Sequence, residues 1–337
     1  MARLTVGGSA FPPIADYGFL SDCEVSALIA PNGNVEWMCL PRMDGPSVFA
    51  AILDRGAGWF RLGPADVMVP SGRRYLPGTM VLETTWGTAT GWAVVRDVLL
   101  IGPWRHNSGG SGAYRRVPSD HSAERVLLRT VRCLQGVIDF VMECEPAFDY
   151  GRRRGQWRFT GNGLGQAEVS AGTDDPILRL TTDLNVGFEG PRAIARHRLR
   201  AGDQAFCALT WEDGTAPADF ADAHRRLTGT AEFWHEWIGR GTFPDHPWRK
   251  YLQRSALTLK GLIYAPTGAL LAAATSSLPE TPGGERNYDY RFTWLRDSTF
   301  MLWALYTLGL DRDANDFFYF LTDLAEPDAD LQIMYGI

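Results

Sequence analysis

Residues 27–40 read ALIAPNGNVEWMCL, in which two apolar runs flank the tetrapeptide PNGN. An Asn-Gly pair between apolar runs is typical of a tight turn, because such turns require residues that tolerate positive φ. The stretch therefore predicts a β-hairpin. Further strand-like segments, separated by Gly and Pro, follow at residues 80–85, 91–100, 124–133, 137–144, 157–160, 177–182 and 205–209. Short strands with such turns indicate an all-β sandwich, with a flexible Gly/Ser loop at residues 107–112.

The sequence pattern becomes helical near Pro217. Apolar residues recur at helical spacing in four segments: 218–237, 248–263, 298–308 and 313–324. Pro247 suits the first turn of the second segment, and Gly309 suits the end of the third. We therefore predict an N-terminal β-sandwich over residues 1–217, a helical linker over 218–245 and the beginning of a helical domain over 246–337.

The composition narrows the class of protein. The chain has 337 residues, and 33 basic against 39 acidic residues give a net charge of −6, which does not favour nucleic acid or an anionic membrane as a partner. No apolar run approaches the ~18 residues of a transmembrane helix, and the N-terminus lacks the apolar core of a signal peptide. The five cysteines are dispersed without C-x-x-C spacing, and the six histidines form no H-x-x-x-H pair. We therefore expect buried thiols, no metal site and a cytoplasmic location.

The stretch most informative about function is RNYDYRFTWLRDS at residues 286–298. It places four aromatic, two acidic and three arginine side chains in a turn-like run just before an apolar helix. Aromatic rings pack on the C–H faces of sugars, while carboxylates and guanidiniums hydrogen-bond to the hydroxyls. The alternative is structural, since Asp297 and Ser298 would also cap a helix. Crowding of large side chains in the preceding loop favours a saccharide site: Asp289, Tyr290, Arg291 and Trp294.

Residues 288–298 resemble the first sugar-binding signature of glycoside hydrolase family 15, the glucoamylase-like enzymes. Other segments resemble the bacterial trehalase branch of that family: 13–23 (PIADYGFLSDC), 35–42 (VEWMCLPR), 46–53 (PSVFAAIL), 74–78 (RYLPG) and 245–280, which ends in TSSLPE. The likeness covers essentially the whole chain. One departure is Tyr288, where bacterial relatives usually carry Trp; we expect a modest effect because an aromatic face is kept.

The resemblance implies a fold and a set of binding residues. The fold is an N-terminal β-sandwich, a helical linker and an (α/α)6 six-hairpin barrel, of which this chain carries only the beginning. Arg296 and Asp297 would hold the terminal glucosyl unit by its hydroxyls. Tyr290 would lie beside the reacting sugar carbon, and Trp294 would help to wall the pocket. The trehalase branch also implies dependence on inorganic phosphate and magnesium, for which the sequence shows no site.

Catalysis by inversion needs a general acid and a general base, two carboxylates roughly 6.5–9.5 Å apart. In the family that these residues resemble, both are glutamates late in the barrel. We expect them beyond Ile337, since neither Glu280 nor Glu285 suits either role. The predicted function is therefore the N-terminal part of an inverting trehalase, inactive alone, with a small saccharide as substrate. Hydrolysis of α-glucan ends and a non-catalytic carbohydrate-binding or interaction module are the alternatives.

Overall fold

The computed structural model describes residues 11–102, 121–161, 163–277, 281, 284–324 and 330–337. The strands are β1 (Gly18–Ser21), β2 (Ser26–Ile29), β3 (Asn34–Cys39), β4 (Ser47–Phe49), β5 (Trp59–Pro64), β6 (Gly72–Tyr75), β7 (Leu82–Gly87), β8 (Gly91–Ile101), β9 (Ala123–Glu145), β10 (Arg153–Arg154), β11 (Gln156–Phe159), β12 (Gln166–Ser170), β13 (Leu178–Thr182), β14 (Gly187–Glu189), β15 (Arg192–Arg200), β16 (Gln204–Thr210), β17 (Ile263–Tyr264), β18 (Ala269–Leu270), β19 (Thr293–Trp294) and β20 (Met334–Tyr335). The helices are a 3₁₀ turn (Ile14–Asp16), α1 (Phe148–Gly151), α2 (Phe220–Gly239), α3 (Arg249–Gly261), α4 (Leu295–Thr307) and α5 (Asp311–Leu324). The predicted loop at 107–112 and Glu280 lie outside the described residues.

The β-domain is organised around β9, a single strand of 23 residues. Its first half pairs with β8 and β16, and the latter continues through β13 and β12 to β11. Its second half pairs with β5 and β15, and β5 continues through β3 and β2 to β1. All of these pairs are antiparallel. One strand therefore belongs to two sheets.

The two sheets share one apolar core. Leu127 and Val131 from the first half of β9 belong to the same buried cluster as Phe140 and Met142 from the second half. Burial of this apolar surface is the main stabilising contribution to such a domain. The core also continues beneath the hairpin formed by β2 and β3, as predicted from residues 27–40.

One fully buried arginine ties these strands together. Arg129 of β9 pairs with Asp97 of β8, with 2.7 Å between Nε and Oδ1. Its other two nitrogens donate to the carbonyl oxygens of Phe60 and Gly33, at 2.6 and 2.7 Å. Because every nitrogen of the guanidinium has a partner, the buried charge is compensated.

The prediction of separate strands at 124–133 and 137–144 was wrong. The intervening residues remain in β9, and the strand passes through Gly136 at φ +71°. A Cβ at Gly136 would lie 2.0 Å from the carbonyl oxygen of Thr90. Since glycine has no side chain, β9 can pass this close to the start of β8 without a turn.

Helix α2 connects the sheets to the helical region. It begins after Asp219, whose side chain accepts from the backbone N–H of Asp222 at 2.8 Å. The first half of α2 packs Ala223 and Leu227 against strand residues of β8 and β9. Its second half contributes three aromatic side chains to the cluster of the helical region: Phe233, Trp234 and Trp237. The domain boundaries at 217/218 and 245/246 stay predictions.

The helical region is built on a second apolar cluster, which includes Leu257 of α3, Leu305 of α4 and Phe317 of α5. A buried ion pair joins α3 to α5, with 2.5 Å between Nζ of Lys260 and Oδ1 of Asp313. Helices α2, α3, α4 and α5 begin and end within a few residues of the bounds predicted from the sequence. The prediction of a β-rich N-terminal domain followed by a helical region is therefore confirmed, while the (α/α)6 barrel stays a prediction.

The outer faces of these helices carry large apolar side chains. Trp248 and Tyr251 near the start of α3 are 67% and 60% exposed, and Phe300 and Trp303 of α4 are 63% and 69% exposed. Helices with apolar residues on both sides normally pack against neighbours on both sides. Within the described part of the chain, no helix is both long and apolar enough to cross a membrane.

Candidate functional site

The segment that leads into α4 is held between two other stretches of backbone. On one side, Ala273 N–H donates to the Tyr290 carbonyl at 2.8 Å, and Ala272 N–H donates to the Phe292 carbonyl at 3.2 Å. On the other side, β19 pairs with β20. The residues predicted to bind sugar therefore lie on a segment whose backbone is fixed by hydrogen bonds on both edges.

Tyr290 and Trp294 form an aromatic pair. Their ring centroids are 5.5 Å apart, with the planes tilted by 35°. Both side chains are half-buried, so part of each ring is accessible. Two neighbouring rings that are partly accessible can accept the apolar C–H face of a sugar. The structure thus brings together two of the four residues predicted to bind saccharide.

Arg296 and Asp297 lie in the first turn of α4 and pair with each other. Arg296 Nη2 donates to Asp297 Oδ2 at 3.1 Å, and the two side chains are 69% and 31% exposed. The residue at the N-cap position is Trp294, which makes no side-chain capping bond. The carboxylate is thus engaged by the neighbouring guanidinium, and both groups keep hydrogen-bonding capacity for a ligand. All four predicted binding residues are within the same eight-residue span.

The arginine and aspartate that precede this group have a different environment. Arg291 is only 5% exposed and forms a bidentate ion pair with Asp289, with 2.7 Å between Nη2 and Oδ2. Burial works to lower the pKa of Arg291, but the hydrogen bonds to Asp289 and Tyr150 outweigh it and the pKa is raised. The guanidinium therefore stays charged. From the sequence, Asp289 and Arg291 only added to the crowding that favours a saccharide site; in the structure, Arg291 donates to Gly45 and Tyr150 of the β-domain.

The resemblance implies dependence on magnesium, and the described residues were compared with the ligand groups that hold metal ions. No group of three or more His, Cys, Asp or Glu side chains in that part of the chain is arranged to hold a metal ion. The five cysteines, by contrast, are all buried thiols, as expected from their spacing.

Two family models match the chain. Residues 2–96 match the model described as "Trehalase-like, N-terminal", and residues 246–337 match the model described as "Glycosyl hydrolases family 15". The second match includes the segment from Tyr290 to Asp297. The N-terminal and C-terminal parts of the sequence are thus matched by models that point to the same group of enzymes.

The chain is similar along nearly its whole length to curated trehalases. It is 58% identical over 334 residues to the trehalase of Mycolicibacterium smegmatis, covering 97% of this chain and 50% of that protein. It is 28% identical to the trehalase of Thermoplasma volcanium, covering 99% of this chain and 51% of that protein. The chain therefore spans about half the length of the curated relatives it matches.

A solved structure supports the fold. A bacterial glucoamylase complexed with acarbose superposes with a TM-score of 0.59 at 12% identity, covering 95% of this chain and 51% of that chain. At this identity the likeness shows a shared fold alone. Together with the two matching models and the trehalase relatives, it establishes that the chain belongs to glycoside hydrolase family 15, in its trehalase branch.

Proposed function

We propose that residues 1–337 form the glucosyl-binding part of an inverting glycoside hydrolase that cleaves trehalose to glucose. The observation that carries the proposal is that the Arg296–Asp297 ion pair, in the first turn of α4, lies within the same eight residues of chain as the Tyr290–Trp294 ring pair. It stands in a chain that is 58% identical to a protein named trehalase. A small saccharide, rather than nucleic acid or a membrane, is the ligand that such a group of side chains suits.

Each of the four residues has a role that follows from its chemistry. The Arg296 guanidinium donates to sugar hydroxyls from a rigid, planar fork, and the Asp297 carboxylate accepts from them. Since the two already hydrogen-bond to each other, little side-chain freedom is lost when the sugar binds. The Tyr290 and Trp294 rings cover the apolar face of the same glucosyl unit.

The proposed binding group is separate from the acid and base of the reaction. Inversion needs two carboxylates on opposite faces of the sugar, roughly 6.5–9.5 Å apart. Asp297 is the single carboxylate among the four residues, and its ion pair with Arg296 suits a binding role. We therefore propose that the catalytic glutamates are supplied by residues other than 1–337 and that residues 1–337 alone do not turn over trehalose.

We also propose that α3, α4 and α5 belong to an (α/α)6 barrel. The exposed aromatic side chains of α3 and α4 support this, since further barrel helices would cover them. The shared fold with a bacterial glucoamylase supports it as well. The cytoplasmic location stays a prediction from the sequence.

We call the longer protein, of which we propose residues 1–337 to be a part, the full-length protein. The substrate is tested by measuring its release of glucose from trehalose and from maltotriose, with residues 1–337 assayed beside it. We expect release from trehalose by the full-length protein and none from residues 1–337. Release from maltotriose instead would favour hydrolysis of α-glucan ends. Binding of trehalose without release from either substrate would favour a non-catalytic carbohydrate-binding module.

A further inference from the structure

Arg291, the most buried charged side chain of residues 286–298, contacts the β-domain. Arg291 Nη1 donates to the Gly45 carbonyl oxygen at 2.7 Å and to Cys39 Sγ at 3.3 Å. Its Nη2 donates to Tyr150 Oη at 2.8 Å, and the Asp289 carboxylate accepts from both Nε and Nη2. Every nitrogen of the guanidinium thus has a partner. We call this arrangement of five residues the guanidinium box.

Two aromatic rings of the β-domain complete the box. The Cζ atom of Arg291 lies 5.8 Å from the ring centroid of Trp37 and 5.6 Å from that of Tyr150. A cation at this distance from two rings is attracted by both, and more strongly when it is desolvated. Lysine has neither the planar fork nor the five donors, so this site is specific for arginine.

The residue that supplies one ring is held in an unusual backbone conformation. Asp149 and Tyr150 have φ values of 50° and 58°, in the left-handed region. This conformation is unfavourable for residues other than glycine, and such strain persists where the surroundings fix it. The turn places Tyr150 Oη on the guanidinium of Arg291, some 141 positions along the chain.

The same face of the β-domain also fixes the backbone next to Tyr290. Trp37 Nε1 donates to the Ala274 carbonyl at 2.8 Å, and the neighbouring Ala273 N–H donates to the Tyr290 carbonyl. Trp37 therefore contacts Arg291 with its ring and Ala274 with its indole N–H. Tyr290 lies between these two anchors, and its ring contacts Trp294.

We infer that the guanidinium box is a positioning device through which the β-domain sets the geometry of the Tyr290–Trp294 wall for glucosyl binding. Arg291, Asp289 and Tyr150 are then positioning residues that do not themselves touch the sugar. The inference rests on the proposed function, because it assigns these residues to the same saccharide site. A misplaced wall weakens contact with the sugar in the ground state and the transition state alike, so KM changes more than kcat.

The test uses the full-length protein with trehalose. Arg291→Lys is expected to raise KM roughly 10-fold or more and to leave kcat within about threefold. Tyr150→Phe keeps the ring and removes the hydroxyl, so a rise in KM of about threefold is expected, and this variant carries the test if Arg291→Lys does not fold. The double variant should resemble Arg291→Lys alone, because both changes disrupt the same contact.

The matched control is Arg61→Lys. Arg61 is a buried arginine of the β-domain, 3% exposed, whose hydrogen bonds go to the carbonyls of Pro64 and Val67. This variant should lose stability without a change in KM. Equal KM values for the Arg291 and Arg61 variants would overturn the positioning role. Absence of glucose release from trehalose by the wild-type protein would instead remove the proposed function, and this inference with it.

Discussion

The carboxyl group of Asp22 should make the stability of this protein depend on pH. Asp22 lies fully buried between β1 and β2. Its Oδ1 accepts from the backbone N–H groups of Val25 and Glu24, at 2.7 and 3.0 Å, while its Oδ2 has no hydrogen-bond partner among the described residues. Burial raises the pKa of Asp22 from 3.8 to about 7; the two backbone hydrogen bonds oppose the rise, and the nearby Glu24 adds to it.

Because the pKa of Asp22 is raised in the folded protein, the free energy of unfolding should fall as pH rises. The folded protein favours the protonated form of Asp22, so ionisation costs nothing below pH 3.8, where both folded and unfolded chains are protonated. The cost grows as pH rises and is complete above pH 7. The difference between the two pKa values corresponds to a free energy of unfolding lower by on the order of 4 kcal/mol at pH 8 than at pH 3.8.

The perturbation that isolates this cost is Asp22→Asn. The amide oxygen can keep the two backbone hydrogen bonds, and the amide has no charge to desolvate. Its NH2 group costs about 1–3 kcal/mol if it finds no acceptor, but that cost is the same at every pH. The stability of the variant relative to wild type should therefore rise by roughly 4 kcal/mol between pH 4 and pH 8.

The assay is denaturant unfolding of the full-length protein and of the variant, followed by tryptophan fluorescence at intervals from pH 4 to pH 8.5. Asp323→Asn, at an exposed position of α5, serves as the control and should run parallel to wild type. Parallel curves for Asp22→Asn and wild type would refute the reasoning, because they would mean that Asp22 has the same pKa in the folded and unfolded chains.

Two further perturbations address packing, both measured as the change in the free energy of unfolding of the full-length protein. Lys260→Met should destabilise by about 3–5 kcal/mol, because it leaves the buried Asp313 without its counter-charge. Lys260→Met with Asp313→Asn should recover most of the loss, since Asn carries no charge and its amide oxygen can still accept from Trp237 Nε1. A double variant as unstable as the single one would contradict this. Gly136→Ala should destabilise far more than Gly202→Ala. Both glycines have positive φ, but a Cβ at Gly136 would meet the Thr90 carbonyl at 2.0 Å, while nothing lies within 4 Å of a Cβ at Gly202. Gly202→Ala should therefore cost only about 1 kcal/mol of unfolding free energy. Similar losses for the two variants would show that the close approach of Gly136 to Thr90 is unimportant.

Local chemistry made part of the fold predictable from the sequence. The hairpin of β2 and β3 follows from Asn32–Gly33, because Gly33 supplies the positive φ that the turn needs. Strand β15 (Arg192–Arg200) was missed, since Arg and His occupy five of its nine positions and its apolar residues do not alternate regularly with them. The continuity of β9 was missed because residues 134–136 read as a turn, whereas β8 pairs across them with a shift of register and keeps them within one strand.

In the candidate site too, residues close together in the sequence could be predicted, whereas contacts between residues far apart in the sequence could not. Tyr290, Trp294, Arg296 and Asp297 could be grouped from the sequence because a loop and one helical turn bring them together. The guanidinium box could not, since Arg291 lies 246, 252 and 141 positions from Gly45, Cys39 and Tyr150. No spacing rule links partners so far apart, and their contact is set by how the β-domain packs on the helical region.

The central claim is that Arg296 and Asp297 hold a glucosyl unit, and Asp297→Ala in the full-length protein tests it most directly. The control is Asp323→Ala, the same change at an exposed position of α5. Loss of charge-assisted hydrogen bonds to sugar hydroxyls should lower kcat/KM for trehalose roughly 10- to 100-fold, while the control stays at the wild-type value. A value for Asp297→Ala within a factor of about two of wild type would contradict the assignment, since a lost hydrogen bond to a charged group costs more than that.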